Sequence, residues 1–281
     1  MKLSFTKMQG CGNNYLYFNC FDQTVSDPAA LAVRLSDVHF GVGSDGVILI
    51  CPSDVADAKM RIFNADGSEG KMCGNGIRCV GKYLYDHGLV DGRTQITVDT
   101  LSGIKYLTLY PEGGEVRSVR VDMGAAILTP SEIPCTFPGE RAVAVPLTVG
   151  DETYAATCVS MGNPHCVIFC EDDIDALDLP RIGPDFEHHP AFPERVNTEF
   201  INVLGTHELK MRVWERGSGE TWACGTGTCA AAVAAVLNGF CPKNEDILVH
   251  LRGGDLTIRY TNETVWMTGP AVAVFEGTVE A

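Results

Sequence analysis

The sequence has twelve cysteines yet not one C-x-x-C pair. That spacing is the basic unit of zinc ribbons and of thioredoxin-like redox sites, so both readings lack their first element, and no metal is expected. Positive charge is scarce as well: 21 Lys and Arg stand against 36 Asp and Glu, for a formal net charge of −15. Phosphate binding needs clustered cations, so a nucleic-acid surface is not expected. Long apolar runs are also missing. Nothing approaches the roughly 18 apolar residues of a membrane span, and the opening MKLSFTKMQGCGNN holds no signal-like run. The expectation is a cytoplasmic protein with neither membrane nor nucleic-acid partners. In that setting Cys20, Cys51, Cys135, Cys158, Cys166, Cys170 and Cys241 are expected to be small buried hydrophobes.

What is present is enough apolar residue, 45% of the chain, and enough glycine, 30 residues, for one large domain or two medium ones. The two halves answer each other. Cys73-Gly74-Asn75-Gly76 and Cys224-Gly225-Thr226-Gly227 lie 151 residues apart. Arg61-Ile62-Phe63-Asn64 and Arg212-Val213-Trp214-Glu215 share that offset, as do Gly88 and Gly239, while Gly12-Asn13 and Gly162-Asn163 are 150 apart. Landmarks in register over this distance imply a duplicated unit in two copies.

Each copy reads as the same local structure. Val47–Ile50, Gln95–Val98 and Val116–Val121 are β-branched stretches between turn residues and predict short strands. Gly74 to His87 and Gly225 to Asn238 lack proline and end at a glycine, and they predict helices. The second is apolar on every side, so it is expected to be surrounded by sheet.

Cys73 and Cys224 therefore stand at helix starts. The first amides of a helix have no internal partners and carry partial positive charge, so an anion can bind there and a thiolate is stabilised. Taken singly, each Cys-Gly-x-Gly is equally a helix start with a buried thiol. Two in register suggest one thiol on each face of a substrate. That is the requirement for inverting a carbon next to a carboxylate: one group removes a proton, and another returns one to the opposite face.

The segments FTKMQGCGNNY, FNADGSEGKMCGNGIRC, GNPHCV, NTEFINV and WERGSGETWACGTGTCAAA, in this order, resemble the diaminopimelate epimerases over almost the whole chain. The resemblance implies interconversion of LL- and meso-2,6-diaminopimelate without a cofactor, pyridoxal phosphate or metal, on the route to lysine and peptidoglycan. It implies an α/β protein of the α+β type, with two pseudo-symmetric domains, each a mostly antiparallel sheet or barrel around a central helix. The expected domains are residues 1–120 with 271–281, and residues 121–270, with the active site in the cleft between them. A homodimer is implied too, with GPAVAVFEG and Phe275 matching the family's dimer strand.

Carried onto matching positions, the resemblance makes Cys73 and Cys224 the catalytic thiols. Gly74, Asn75, Gly225 and Thr226 would hold the reacting carboxylate through backbone amides, and His165 and Glu215 would help to set protonation. Asn13, Asn64, Asn163, Asn197 and Arg216 would bind substrate, with the planar fork of Arg216 suited to the distal carboxylate. Asn13, Asn163 and Asn197 also suit turns on their own. Where some family members carry a substrate-contacting glutamine, this chain has Gly46; Cys11 and Trp222 are less usual flanking residues. Alternatives of related chemistry are a racemase or epimerase of proline, hydroxyproline or histidine. From other classes come a phenazine-biosynthesis-type isomerase, which lacks the cysteine pair, and a redox-sensing binding protein.

Overall fold

The computed structural model describes residues 2–280. Its first strands and helices are β1 (Lys2–Gly10), β2 (Asn13–Asn19), α1 (Pro28–Ser36), β3 (Gly46–Cys51), β4 (Ala58–Asn64) and β5 (Glu69–Gly70). Then come α2 (Gly74–Asp86), β6 (Gln95–Asp99), β7 (Lys105–Glu112) and β8 (Glu115–Asp122). The second series runs β9 (Val145–Val149), β10 (Glu152–Ser160), β11 (Pro164–Phe169), α3 (Leu179–Glu187), β12 (Asn197–Gly205), β13 (Glu208–Glu215) and β14 (Gly219–Glu220). It ends with α4 (Gly225–Leu237), β15 (Asp246–Leu251), β16 (Gly254–Tyr260), β17 (Val265–Pro270) and β18 (Val272–Glu280). The architecture is α+β and dominated by sheet. Among the described residues no helix is long and apolar enough to cross a membrane.

The chain forms two compact units: one holds the residues up to Asp122 and those from Thr268 onward, the other Met123–Met267. Strand pairing repeats between them. In the first, β1 and β2 pair antiparallel, β2 and β3 parallel, β3 and β4 antiparallel, and β4 and β6 parallel. In the second, β10 and β11, β11 and β12, β12 and β13, and β13 and β15 repeat that order of senses. The outer neighbour differs in origin. β9, just ahead of β10 in the chain, pairs antiparallel with it, whereas β1 takes β18 from the far end of the chain.

β2, β3 and β11 are buried at consecutive positions because both of their faces are covered. Leu16 and Phe18 of β2 and Val47 and Leu49 of β3 pack in one cluster with Leu31, Ala32 and Leu35 of α1. On the other face the Tyr17 hydroxyl donates to the Gly76 carbonyl of α2 at 3.3 Å. The second unit builds the same layer from Cys166, Ile168, Phe200, Leu179 and Phe186. As expected from its composition, α4 is enclosed: Cys229 through Ala235 are fully buried, with β10–β13, β15 and β16 around them.

α2 carries two buried cations that its apolar twin lacks. Arg78 is fully buried and donates to the carbonyls of Gly74 and Pro270, each at 3.2 Å. Lys82 donates to Asp86 at 2.6 Å and to the Val116 carbonyl at 2.9 Å, while Asp86 accepts from the Val116 amide at 3.0 Å. The charges are thus hydrogen-bonded throughout, as burial demands. Both helices stop in the same way: Leu89 and Phe240 donate back five residues to Leu84 and Ala235, each at 2.9 Å, with Gly88 and Gly239 at positive φ. Of the thiols expected to be core residues, Cys135, Cys158, Cys166 and Cys241 are buried. Cys20, Cys51 and Cys170 are only half-buried, because each sits at or just past the end of a strand.

Gly183 of α3 tests this packing. A Cβ there would lie 2.2–2.6 Å from ring atoms of Trp214, a rigid neighbour. Alanine normally gains roughly 1 kcal/mol over glycine inside a helix. Here Gly183→Ala is expected instead to lower stability by about 1–3 kcal/mol through overpacking, read as a shift of the urea midpoint at unchanged slope.

Candidate active site

In the first unit the site begins at a hairpin. Gly10 and Asn13 face each other in the register of β1 and β2, leaving Cys11 and Gly12 as a two-residue loop with φ of 53° and 81°. Positive φ at both positions is the turn that suits the twist of a hairpin, and it accounts for Cys11 as a turn residue. Asn13 is thereby placed beside the start of α2. Cys73 is the N-cap of that helix, with an extended backbone (φ −131°), and its sulfur accepts the Gly76 amide at 3.3 Å. The Cys73 thiol donates to Oδ1 of Asn13 at 3.2 Å, and Nδ2 of Asn13 donates to Asp45 at 2.8 Å. Asp45 thus orients the amide that meets the sulfur.

Tyr15, two residues along β2, is buried and hydrogen-bonds both Asn13 and Cys73 through its hydroxyl. Burial pushes its phenol well above the ordinary tyrosine range, and the nearby Cys73 and Asp45 add to this. Tyr15 therefore remains a neutral hydroxyl. Gly74 and Asn75 occupy the first two helical positions, whose amides an α-helix cannot bond internally. Asn64, at the end of β4, donates to Ser68 at 3.0 Å within the following turn.

Gly46 has a local structural cause. A Cβ there would lie 2.1 Å from the Phe63 carbonyl oxygen and 3.0 Å from Tyr15, so this backbone has no room for a glutamine.

The second unit repeats the plan with different chemistry. Cys224 caps α4, accepting the Gly227 amide at 3.3 Å, and lies 3.5 Å from the Thr226 hydroxyl. Gly225 and Thr226 are its first two helical positions. Nε2 of His165 meets Oδ1 of Asn163 at 3.0 Å, and Nδ1 meets Glu199 at 2.7 Å, with both His165 and Glu199 side chains fully buried. Glu215 accepts the Thr221 hydroxyl, and its charge acts on Cys224. Asn197 is buried and spends both ends of its amide on backbone, donating to the Pro164 carbonyl at 2.8 Å and accepting the Arg216 amide at 2.9 Å. It thereby ties the start of β11 to the end of β13. The guanidinium of Arg216 donates to the Glu194 carbonyl at 2.8 Å.

The electrostatics correct one expectation. A helix start was expected to ease ionisation of the thiol, but burial pushes Cys224 well above the ordinary thiol range, and the charges of Glu215 and Glu199 push it further. The Gly227 amide and Thr226 hydroxyl act in the opposite direction without prevailing. Desolvation of a fully enclosed sulfur outweighs the partial charge of one helix end. The carboxyl of Glu215 is likewise raised, chiefly by burial and opposed by its bond to Thr221 and by the Cys224 thiol.

Sequence reasoning missed Tyr15, Asp45 and Glu199. The repeat offset held a signal for two of them, since it sets Tyr15 against His165 and Ile48 against Glu199. Within each unit the expected residues gather at one helix start: Asn13, Cys73, Gly74 and Asn75 in the first, and Asn163, His165, Glu215, Cys224, Gly225 and Thr226 in the second. Each start combines a thiol with the first amides of a helix, a combination that can bind a carboxylate and exchange a proton at the adjacent carbon.

Comparison with known proteins agrees with this chemistry. The family profile described as diaminopimelate epimerase matches residues 5–129 and 157–274. A diaminopimelate epimerase from Agathobacter rectalis is 56% identical, covering 99% of both chains, and one from Acetivibrio thermocellus is 52% identical with the same coverage. Two solved structures share the fold at low identity. A hydroxyproline epimerase from Agrobacterium vitis has a TM-score of 0.72 at 14% identity, over 99% of this chain and 91% of that one. A phenazine biosynthesis protein of the PhzF family from Bacillus anthracis has a TM-score of 0.70 at 16% identity, over the whole of both chains. On the extent and level of these matches, the chain belongs to the diaminopimelate epimerase family.

Proposed function

We propose that the protein epimerises LL-2,6-diaminopimelate to the meso isomer with Cys73 and Cys224 as opposed base and acid, in lysine and peptidoglycan precursor biosynthesis. The observation that carries this reading is the duplication of a cysteine as the N-cap of a buried helix, Cys73 on α2 and Cys224 on α4. One thiolate removes the α-proton, and the electron pair left on carbon delocalises into the carboxylate. The amides of Gly74, Asn75, Gly225 and Thr226 stabilise that charge. The other thiol then delivers its proton to the opposite face and becomes the thiolate, so the roles exchange with the direction of reaction. These steps call on no cofactor.

His165 and Glu215 set the protonation around Cys224, and Asn13, Asn64, Asn163 and Asn197 orient the substrate or the strands that hold it. Arg216 turns from the Glu194 carbonyl to the distal carboxylate, for which its fork is suited. A cytoplasmic homodimer completes the reading: Val272, Val274 and Phe275 expose apolar surface along β18. Sedimentation is expected to give twice the chain mass, and a monomer at working concentrations would remove the dimer from this proposal.

Incubating the reduced protein with LL-diaminopimelate in deuterated water is expected to give meso product carrying α-deuterium. Cys73→Ala and Cys224→Ala should each lower turnover by about 10²–10⁴-fold. Exchange that survives in the double variant would refute the two-thiol mechanism. Absence of exchange with this substrate, but exchange with proline, hydroxyproline or histidine, would replace the substrate.

Glu215→Gln separates activity from stability. Because folding raises the Glu215 carboxyl, its contribution to stability is fully present below the unfolded value and is lost as pH rises through the folded one. The neutral variant is therefore expected to be more stable than the parent near neutral pH, with the gap closing near pH 4, where both carry an uncharged group. Turnover should fall by about 10²-fold or more. Urea midpoints at the two pH values check the first expectation and the exchange assay the second.

A further inference from the structure

The duplication offers an internal control for every buried residue, and one position breaks the symmetry sharply. Ile48 on β3 and Glu199 on β12 correspond at the repeat offset and in strand register, Tyr17 facing Ile48 as Val167 faces Glu199. Each points at the third residue of its central helix. A Cβ at Gly76 would lie 2.6 Å from Ile48 Cδ1, and a Cβ at Gly227 would lie 2.5 Å from Glu199 Oε1. The same fold is thus served in one unit by an isoleucine and in the other by a carboxylate.

That carboxylate is costly. Glu199 is fully buried, and its Oε2 has no hydrogen-bond partner among the described residues. Its Oε1 is held by Nδ1 of His165 at 2.7 Å. Buried ion pairs of this kind are commonly matched or bettered in stability by apolar residues of similar volume, and Ile48 shows that the layer accepts one. Packing therefore does not explain Glu199. Its surroundings point to the thiol: the open side of Gly227 that faces Glu199 Oε1 also faces Cys224 Sγ, 3.2 Å from the same Cβ position.

We propose that Glu199 is a positioning residue for the reaction, which fixes His165 through Nδ1 and faces the Cys224 sulfur across Gly227, so that Cys224 holds its proton more tightly than Cys73 when the site is empty. The groups facing Cys224 are Glu215 from β13, Glu199 from β12 with its partner His165 from β11, and Thr226 and the Gly227 amide from α4. Around Cys73 the corresponding places hold Tyr15, a neutral phenol, Ile48 and Asn64, and Asp45 is bonded to the Asn13 amide that meets the sulfur. Two sulfurs made equivalent by gene duplication are made unequal by the carboxylates of Glu199 and Glu215, which gives the substrate-free enzyme a defined order of proton affinity. The proposal rests on the epimerase reading only for what the thiols do.

The test reads each thiol separately and needs no substrate. The ligand-free protein is alkylated with iodoacetamide over a range of pH, and mass spectrometry follows the peptides of Cys73 and Cys224. The pH midpoint of each rate, unlike the rate itself, does not depend on access. In the parent, Cys224 is expected to have the higher midpoint, and the reverse order would overturn the proposal whatever the variants do. Glu199→Gln keeps an acceptor for His165 but removes the charge. It should speed labelling of Cys224 about tenfold near neutral pH, the equivalent of one pH unit, and leave Cys73 within about twofold. If that variant fails to fold, Glu199→Ile installs the residue the first unit already hosts and carries the same expectation. An unchanged Cys224 midpoint, or an equal shift at both thiols, would assign Glu199 a structural role only. Failure of the substrate assignment would show in the exchange assay and leave these midpoints untouched.

Discussion

In each unit a cysteine sulfur accepts the third amide of a helix that the surrounding strands enclose, at 3.3 Å in both cases. This one bond makes a reactive atom also the cap of the central structural element. A cap must have an extended backbone while the next residue is already helical, so the sulfur and the first helix amides are held on the same side by the covalent geometry of the chain. The arrangement of the strands follows from the need to bury such a helix on all sides. The hairpins β1–β2 and β10–β11 bring Asn13 and Asn163 to the helix starts, and the small residues at Gly76 and Gly227 let neighbouring side chains approach.

Duplication supplied this frame twice, and divergence filled it differently. The central helix of the first unit buries Arg78 and Lys82 against backbone carbonyls and Asp86, whereas that of the second carries no charged residue. The contrast extends to the sulfurs. Tyr15 and Ile48 surround one with a neutral phenol and an alkyl group; His165, Glu199 and Glu215 surround the other with ionisable groups. A two-faced reaction needs one face to give a proton and the other to take it. Unequal surroundings for equivalent atoms provide that without altering the fold.

The two units also differ in how their outer edge is covered. β10 is flanked by β9, its neighbour in the chain, while β1 waits for β18 at the far end. The first unit is therefore incomplete until the whole chain is present. The burial of Phe5, against the ring of Phe275 at 5.9 Å, depends on that last strand.

The sequence alone determined the duplication, because the offset between Cys73 and Cys224 recurs at several landmarks, and it determined both central helices to within a residue, because glycine marks their ends. It also led to the family, through motifs spread over most of the chain. Cys73 and Cys224, and Asn13 and Asn163, were legible because their residue types recur at offsets of 151 and 150, and His165 was legible through the family motif that contains it. Tyr15, Asp45 and Glu199 were not: a tyrosine in an apolar strand reads as core, and a lone carboxylate near strand residues reads as solvated surface. Only the tertiary structure showed Glu199 fully buried against His165, and only it reversed the expectation for the Cys224 thiol. The physical reason is the same in both cases. Periodicity records which side of an element faces inward, but desolvation and the charges across a helix start depend on atoms brought together from strands far apart in the chain.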